Sequence, residues 1–123
     1  MGTKVMIVDD ALIMRMMLRD ILKAAGCEIV AEVGIPALVL KKYDETSPDV
    51  VCLDLTLDDS LVPAGITLLD EIRKRNPRAK VIIISALEQK EITDQALKLG
   101  AKAYITKPFD KMEVAATIKR VAG

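Results

Sequence analysis

The chain has 123 residues, of which 51% are hydrophobic, and this length and composition predict one domain over residues 1–123 with a single core. Its 18 basic and 18 acidic residues balance, and no apolar run is long enough to cross a bilayer, so we expect neither direct binding of nucleic acid nor membrane insertion. With no histidine and only Cys27 and Cys52 as thiols, zinc binding and histidine-based catalysis are excluded, and we expect both cysteines to be buried, reduced thiols. Because the first residues run into a strand-like segment rather than a signal peptide, we expect a cytoplasmic protein.

Short apolar segments rich in β-branched residues alternate along the chain with longer segments whose apolar residues recur at helical spacing. The predicted strands, in chain order, are residues 4–8, 28–33, 50–54, 80–85 and 103–106. The helices predicted to follow them are residues 11–25, 36–45, 66–75, 88–99 and 111–121. Asp110 is expected to cap the last helix, and Gly26 and Gly100 stand where the first and fourth helices end. This alternation predicts an α/β fold, a doubly wound five-stranded parallel sheet flanked by five helices.

Polar side chains stand at the carboxyl ends of four predicted strands. They are Asp9, Asp10, Asp54, Ser85 and Lys107. The carboxyl ends of parallel strands meet at one edge of the sheet, and folds of this class place their sites there. We therefore expect one site that combines three carboxylates, a hydroxyl and an ammonium.

Each of these residues alone also has an ordinary structural explanation. Asp9 and Asp10 could cap the first helix or lie in its first turn. Ser85 could satisfy backbone groups at a strand end, and Lys107 could be a solvated surface lysine. Asp54 could form a turn at the start of the following loop. Their joint location at one edge of the sheet is what favours a functional site.

Three carboxylates in one crevice repel one another, and a hard divalent cation would relieve that repulsion. Oxygen ligands suit Mg²⁺ better than zinc or copper, so Mg²⁺ is the expected cofactor. Aspartate is also a nucleophile for phosphoryl transfer, in which it forms an acyl phosphate. Asp54 is the candidate phosphoacceptor, and Lys107 and Ser85 are placed to hold the phosphoryl oxygens.

Several short motifs contain or adjoin this polar set. They are Val8-Asp9-Asp10, Pro48-Asp49-Val50 running into Asp54, Ser85-Ala86, Gly100-Ala101 and Lys107-Pro108-Phe109. In these motifs, and over essentially all 123 residues, the chain resembles the receiver domain of two-component response regulators, especially the single-domain chemotaxis kind. The resemblance implies a flavodoxin-like fold with the strand order 2-1-3-4-5.

The resemblance also implies roles for the site residues. Asp54 would accept a phosphoryl group from a sensor histidine kinase. Mg²⁺ would be held by the side chains of Asp9, Asp10 and Asp54 and by the backbone carbonyl of Thr56. Lys107 and Ser85 would contact the phosphoryl oxygens, and the peptide bond before Pro108 would be cis.

In receivers, a switch couples this chemistry to a surface. By resemblance, Ser85 is the strand-four hydroxyl that moves toward the phosphate, and Tyr104 is the strand-five aromatic that turns inward. Their movement would reshape the face formed by the fourth helix, fifth strand and fifth helix, and so regulate a downstream effector protein or output domain. The chain is thus expected to be mainly a regulatory protein that catalyses its own Mg²⁺-dependent phosphorylation and dephosphorylation.

Two departures from the receiver pattern concern loops. Receivers usually follow the phosphoacceptor with a Met-Pro pair and reach a glycine eight positions on, whereas this chain has Leu57 and Asp58 there and Gly65 eleven positions on. The loop is therefore expected to be three residues longer than usual, and residues 58–60 add acidic and polar side chains to it. Ile35-Pro36 replaces the polar residue and glycine that are usual before the second helix.

Other functions remain open at the level of the sequence. A phosphorylation-independent, receiver-like interaction module would keep the fold without the chemistry, although the intact polar set argues against it. An aspartyl-phosphate phosphatase or mutase normally needs a second aspartate two residues after the nucleophile, where this chain has Thr56. A flavin carrier of the same fold class usually flanks its flavin with aromatic residues, and this chain has one Phe, two Tyr and no Trp.

Three methionines, Met14, Met16 and Met17, lie on the predicted first helix. They could form an adaptable binding surface, since methionine side chains are flexible. Met14 and Met17, however, stand at core spacing, so core packing is the favoured prediction for both.

Overall fold

A computed structural model describes residues 2–57 and 63–123 of the chain. Its strands are β1 (Lys4–Val8), β2 (Glu28–Val33), β3 (Val50–Leu53), β4 (Lys80–Ser85) and β5 (Ala103–Thr106). Its helices are α1 (Leu12–Ala24), α2 (Val39–Thr46), α3 (Ala64–Arg75), α4 (Lys90–Lys98) and α5 (Lys111–Ala122), and a 3₁₀ turn at Pro36–Leu38 precedes α2. None of the helices in these two ranges is both long and apolar enough to cross a membrane.

The five strands form one parallel sheet in the order β2-β1-β3-β4-β5, which confirms the predicted fold class and strand order. Ile7 of β1 pairs with Cys52 of β3, and Cys52 pairs with Ile82 of β4. Val8 and Leu53 form the pair at the carboxyl ends of β1 and β3. The residues that follow these strands therefore start from the same edge of the sheet.

Successive side chains of the central strands point to opposite faces of the sheet, and helices cover both faces. The buried residues that α1 and α5 add to one face are Leu18, Leu22, Val114 and Ile118. Those that α2, α3 and α4 add to the other face include Val39, Tyr43, Leu69, Ile72 and Ala96. The continuous apolar runs of the strands are thus explained by burial on both faces.

Helix starts differ from the prediction where no side chain caps the helix. α4 begins at Lys90 rather than at residue 88, and its N-cap residue, Gln89, makes no side-chain hydrogen bond. The beginning of the predicted second helix is the 3₁₀ turn, which also lacks a side-chain cap. At α5 the prediction is confirmed, because the Asp110 carboxylate accepts a hydrogen bond from the backbone N–H of Met112 at 2.7 Å.

Core packing is the wrong prediction for Met17. Its side chain is 44% exposed, and Met16 is 39% exposed, while Met14 is half-buried. Leu18 and Leu22 are the fully buried residues of α1, and Met17 lies about 100° around the helix from Leu18. Met16 and Met17 therefore lie on the solvent-exposed side of α1.

Both cysteines are free thiols, and Cys52 is buried as predicted, whereas Cys27 is only partly buried. Burial raises the pKa of Cys52 to about 12, and the nearby Cys27 adds to this effect. Burial also raises the pKa of Cys27, which is half-buried before β2. Because the thiolate is the reactive form, burial makes both thiols less reactive than an exposed cysteine.

Candidate functional site

The candidate site is built where β1 and β3 end. Asp9 and Asp54 directly follow these strands and are almost fully buried, with 1% and 3% of their surface exposed. The backbone N–H of Asp54 donates to the carbonyl of Val8 at 2.9 Å, and that of Asp9 donates to the carbonyl of Val33 at 3.0 Å. These bonds continue the strand pairing past the last strand residues, so the sheet itself holds both carboxylates at its carboxyl edge.

Lys107, which follows β5, joins the two buried carboxylates. Its Nζ lies 2.6 Å from Oδ2 of Asp9 and 3.0 Å from Oδ2 of Asp54. Its backbone N–H donates to the carbonyl of Ser85 at 2.9 Å, and the peptide bond to Pro108 is cis, as the resemblance implied. Charge-assisted hydrogen bonds thus connect the ends of β1, β3 and β5.

Burial and ion pairing have opposite effects on the pKa values of Asp9 and Lys107. Burial raises the pKa of the Asp9 carboxyl above its usual value, although hydrogen bonds from Lys107 and from the N–H of Ala11 oppose it. Burial acts to lower the pKa of Lys107, but hydrogen bonds to Asp9 and Asp54 and their negative charges raise it overall. The ammonium therefore stays charged at neutral pH and offsets part of the negative charge of the site.

Asp10, which is exposed, completes a group of three carboxylates. One carboxylate oxygen from each of Asp9, Asp10 and Asp54 lies within 4.8 Å of the others. Lys107 supplies one positive charge to this group, so a further cation would offset the remaining repulsion. All of these ligand atoms are hard carboxylate oxygens, which suit a hard divalent cation. They do not suit a metal that prefers thiolate or imidazole ligands.

Thr56 holds the other oxygen of Asp54. Oδ1 of Asp54 accepts hydrogen bonds from the backbone N–H of Thr56 at 3.0 Å and from its hydroxyl at 3.1 Å. Thr56, whose carbonyl the resemblance assigns to the metal, therefore lies beside the carboxylate group. The acidic stretch predicted at 58–60 lies outside the described residues.

Gly65 packs directly against the end of β3. Its backbone N–H donates to the carbonyl of Leu55 at 2.9 Å. A Cβ at this position would collide with the Cα of Leu55 and would lie 2.6 Å from the carbonyl oxygen of Asp54. Because only glycine lacks a Cβ, the glycine eleven positions after Asp54 is required by this close approach.

Ser85 and Tyr104 both form hydrogen bonds with the backbone of Leu87, which lies in the connection between β4 and α4. Ser85 is fully buried, and its Oγ accepts a long hydrogen bond of 3.4 Å from the N–H of Leu87. The Tyr104 hydroxyl donates to the carbonyl of Leu87 at 2.7 Å. Partial burial raises the pKa of Tyr104, while hydrogen bonds with Thr93 and Ser85 oppose that effect. One backbone segment thus links the two predicted switch residues.

The ordinary explanations account for part of this arrangement: Oδ1 of Asp54 accepts from the N–H of Thr56 in a local turn, and Oγ of Ser85 accepts from the N–H of Leu87 at the end of β4. The N-cap position of α1 is Ala11, so neither Asp9 nor Asp10 caps that helix. Asp9 accepts from the N–H of Ala11 through Oδ1 at 2.9 Å in a local turn, but its Oδ2 faces Lys107. The Lys107 side chain is only 13% exposed, so it is not a solvated surface lysine.

Arg15 contacts the backbone of the site residue Asp9, and the sequence analysis did not identify this contact. Its guanidinium donates to the backbone carbonyl of Asp9 at 2.6 Å, and its Nε lies 3.9 Å from a carboxylate oxygen of Glu32. Arg19, one helical turn later, pairs with the same Glu32 at 3.0 Å. The α1 helix is thereby fixed to β2, the strand that adds no residue to the site itself. The four-residue spacing of Arg15 and Arg19, which places them on one face of α1, is the sequence signal that could have indicated their shared partner.

Comparison with known protein families finds a match that spans the residues of this site. Residues 5–119 match the family described as the response regulator receiver domain. The chain belongs to the response regulator receiver domain family. All the site residues described above lie inside the matched range of this receiver domain.

The receiver domain is similar to chemotaxis proteins over nearly its whole length. It is 41% identical over 122 residues to the chemotaxis protein CheY of Thermotoga maritima, and the match covers 99% of both chains. It is also 41% identical over 120 residues to the chemotaxis protein CheY of Bacillus subtilis, with 98% of both chains covered.

Solved structures share the fold of this receiver domain. The complex of CheX with CheY, BeF3 and Mg²⁺ from Borrelia burgdorferi contains a chain with a TM-score of 0.88 and 32% identity, which covers 96% of this chain and 87% of that one. A two-component response regulator of the LuxR family from Aurantimonas gives a TM-score of 0.90 at 30% identity, covering 99% of this chain and 86% of that one.

Proposed function

We propose that this receiver domain is a phosphorylation-activated signalling switch whose phosphoacceptor is Asp54. The observation that carries the proposal is the Lys107 ammonium, 3.0 Å from Asp54 and 2.6 Å from Asp9, beside three clustered carboxylates. A carboxylate that attacks a phosphoryl group needs positive charge near that group, and this arrangement supplies it. Membership of the receiver family supports a sensor histidine kinase as the phosphoryl donor.

The transfer is a displacement at phosphorus. A carboxylate oxygen of Asp54 attacks the phosphorus atom of a phosphohistidine, the P–N bond breaks, and its electron pair returns to the imidazole nitrogen of the donor. The product is an acyl phosphate on Asp54. We assign the attack to Oδ2, because Oδ1 accepts two hydrogen bonds from Thr56 whereas Oδ2 faces Lys107. The phosphoryl oxygens would then lie next to the ammonium.

Mg²⁺ is the cofactor that this set of donors favours. Asp9, Asp10, Asp54 and the backbone carbonyl of Thr56 would hold it. When bound, it would offset negative charge on the phosphoryl group during transfer. The Borrelia burgdorferi CheY complex, which contains BeF3 and Mg²⁺, supports this assignment.

The response to phosphorylation would run through Ser85 and Tyr104. The Ser85 hydroxyl and the Lys107 ammonium would bind phosphoryl oxygens in one conformational state only, which shifts a pre-existing equilibrium toward that state. Because Ser85 and Tyr104 both bond to Leu87, a movement of Ser85 changes the packing of the β4–α4 connection. The face formed by α4, β5 and α5 would change with it, and an effector protein or output domain would bind that face.

We propose that the protein is mainly regulatory and that it works in the cytoplasm. Its own catalysis would be limited to accepting and releasing the phosphoryl group on Asp54. Its partners would be a sensor histidine kinase and the effector that binds the α4, β5 and α5 face.

Incubation with acetyl phosphate and Mg²⁺, followed by intact-mass spectrometry, tests the phosphoacceptor. The wild-type chain should gain one phosphoryl group, and hydroxylamine should remove it because hydroxylamine cleaves acyl phosphates. Asp54→Ala should gain none. Asp20→Ala, which removes an exposed carboxylate of α1, should be labelled like the wild type. Stoichiometric, hydroxylamine-sensitive labelling of Asp54→Ala would refute the assignment.

Ser85→Ala separates the switch from the transfer chemistry. This variant should still be labelled, because Asp54 and Lys107 remain, but the NMR signals of Leu87 and Tyr104 should move less on phosphorylation than they do in the wild type. Thr67→Ala, which removes an exposed hydroxyl from α3, is the matched control and should respond fully. A full response in Ser85→Ala would exclude Ser85 as the switch hydroxyl.

A further inference from the structure

Arg15 of α1 binds the backbone between two of the three clustered carboxylates. Its Nη1 donates a hydrogen bond of 2.6 Å to the carbonyl oxygen of Asp9. That carbonyl belongs to the planar peptide group that joins Asp9 to Asp10, so the direction of the carbonyl fixes the plane of the link between these two carboxylates. The ion-pair partner of Arg15 is Glu32, which is not part of the carboxylate group.

The bond from Arg15 completes the set of contacts that hold Asp9. Oδ1 of Asp9 accepts from the N–H of Ala11 at 2.9 Å, and its Oδ2 lies 2.6 Å from Nζ of Lys107. The backbone N–H of Asp9 donates to the carbonyl of Val33 at 3.0 Å. The carbonyl of Asp9 is the remaining polar group of this buried residue, and Arg15 is the group that pairs with it.

The β2 strand and the residue after it determine where the guanidinium of Arg15 lies. One carboxylate oxygen of Glu32 is 3.9 Å from Nε of Arg15, and the other is 3.0 Å from Nη1 of Arg19. Gly34, which follows β2, leaves the space that the guanidinium occupies, since a Cβ there would lie 2.6 Å from Nη1 of Arg15. Although β2 adds no side chain to the carboxylate group, it therefore contacts the site through Arg15.

We propose that Arg15 is a positioning residue for the divalent cation: its hydrogen bond to the Asp9 carbonyl orients the Asp9–Asp10 peptide so that both carboxylates face the cation. The proposal rests on the proposed function, in which Mg²⁺ binds Asp9, Asp10 and Asp54. Carboxylates that are already oriented bind a cation more tightly, because less conformational entropy is lost on binding. Residues that orient metal ligands without touching the metal commonly change its affinity by about tenfold or more.

The charge of Arg15 and its hydrogen bond have opposite effects on the binding of Mg²⁺. A guanidinium beside the site repels a cation, so loss of its charge alone should make Mg²⁺ bind more tightly. Loss of the hydrogen bond that orients the Asp9–Asp10 peptide should make Mg²⁺ bind more weakly. Arg15→Gln removes both, so the direction of the change in the Kd of Mg²⁺ distinguishes the positioning role from a general effect of charge.

Titration of the full chain with Mg²⁺, followed through the NMR signal of the Asp10 amide, measures this Kd. Arg15→Gln should raise the Kd by about tenfold. Arg19→Gln removes the same charge and the same partner, Glu32, but Arg19 lies one helical turn farther along α1. The Kd of Arg19→Gln should therefore stay within about twofold of the wild-type value. Arg15→Lys keeps the charge and a donor, and its Kd should lie between those of the wild type and Arg15→Gln.

Gly34→Ala tests the same contact without changing any charge. Gly34 does not have a positive φ, so alanine fits its backbone, and the new Cβ meets the flexible end of Arg15 while lying 3.5 Å from the Asp9 carbonyl oxygen. The guanidinium should move away and the Kd of Mg²⁺ should rise several-fold. In the double variant Arg15→Gln/Gly34→Ala the two effects should not add, because the contact that Gly34→Ala disturbs is already absent. Gly2→Ala, whose Cβ meets nothing closer than 3.7 Å, is the control and should bind Mg²⁺ like the wild type.

Labelling with acetyl phosphate separates this proposal from the proposed function. The Mg²⁺ concentration that gives half-maximal labelling should rise in Arg15→Gln together with the Kd. A Kd that is equal or lower in Arg15→Gln, while the wild type is labelled normally, would overturn the positioning role and leave the proposed function intact. A wild-type chain that neither binds Mg²⁺ nor is labelled would refute the proposed function itself, and the positioning role with it.

Two further results would also overturn the positioning role. One is an equal rise of the Kd in Arg15→Gln and Arg19→Gln, which would assign the effect to their shared partner Glu32. The other is full additivity of Arg15→Gln and Gly34→Ala, which would show that Gly34→Ala acts through another contact. If Arg15→Gln does not fold, Arg15→Lys and Gly34→Ala decide the question, and a wild-type Kd in both would overturn the role.

Discussion

At the scale of single residues, the site gathers more negative charge than its one ammonium offsets. Lys107 pairs with Asp9 and Asp54, and Asp10 lies within 4.8 Å of both carboxylates. Groups held together for function in this way commonly lower the stability of the fold. The repulsion is therefore expected to persist until a divalent cation binds.

Asp10→Asn should raise the free energy of unfolding by about 0.5–1 kcal/mol without divalent cations, because it removes one of three repelling carboxylates at nearly constant size. Urea unfolding in the presence of a chelator measures this change. Asp20→Asn neutralises an exposed acid elsewhere on α1 and should change stability by less than about 0.5 kcal/mol. A variant Asp10→Asn that is less stable than the wild type would contradict the repulsion.

Gly65→Ala should destabilise the fold by about 2 kcal/mol, because the added Cβ meets the backbone of Leu55 and of Asp54, which cannot move aside as a flexible side chain could. Thermal unfolding should show a fall in Tm of roughly 6–10 °C. Gly2→Ala is the control, since its nearest contact to the new Cβ, at 3.7 Å, is a side-chain oxygen of Glu28. Equal Tm values for the two variants would show that the close approach at Gly65 does not matter.

At the scale of elements, capping determines which helix boundaries the sequence could predict. The start of α5 agrees with the prediction because Asp110 provides a local signal that the structure uses. The N-cap residues of α1 and α4, Ala11 and Gln89, make no side-chain hydrogen bond, and these helices begin one and two residues later than predicted. Without a capping residue, tertiary packing decides where a helix begins.

Asp110→Ala should lower the free energy of unfolding by about 1 kcal/mol, because the N–H of Met112 loses the carboxylate that accepts its hydrogen bond. Amide hydrogen exchange at Met112 should become faster in this variant, and urea unfolding should show the loss of stability. Asp110→Asn keeps an accepting oxygen and should remain within a few tenths of a kcal/mol of the wild type. Unchanged exchange at Met112 in Asp110→Ala would show that the cap does not protect the first turn.

At the scale of the whole molecule, the sequence was sufficient to predict the sheet and the common edge of the site. Each strand is a short apolar run, polar residues stand at the carboxyl ends of all strands but β2, and parallel strands bring those ends together. The contacts of Tyr104 and Arg15 could not be predicted, because both donate to backbone carbonyls whose positions depend on the folded loops. The exposure of Met17 could not be predicted either, since apolar residues occur on most sides of the first turns of α1.

The last prediction concerns the stability of the whole molecule in Mg²⁺. A ligand that binds only the native state adds about 2.7 kcal/mol to the free energy of unfolding when its concentration is a hundred times its Kd. If the three carboxylates hold Mg²⁺, Tm should rise with Mg²⁺ concentration. Sodium chloride at the same ionic strength should raise it far less, because screening relieves repulsion without occupying a site.

Asp54→Ala and Asp10→Asn distinguish binding at the carboxylates from a general effect of salt. Each variant removes one of the proposed ligands, so each should start more stable than the wild type in chelator and gain less from Mg²⁺. The two effects have opposite signs, and loss of packing alone would not produce both. Equal gains from Mg²⁺ in the wild type and in both variants would place the bound ion elsewhere, and the role proposed for the carboxylate group would then fail.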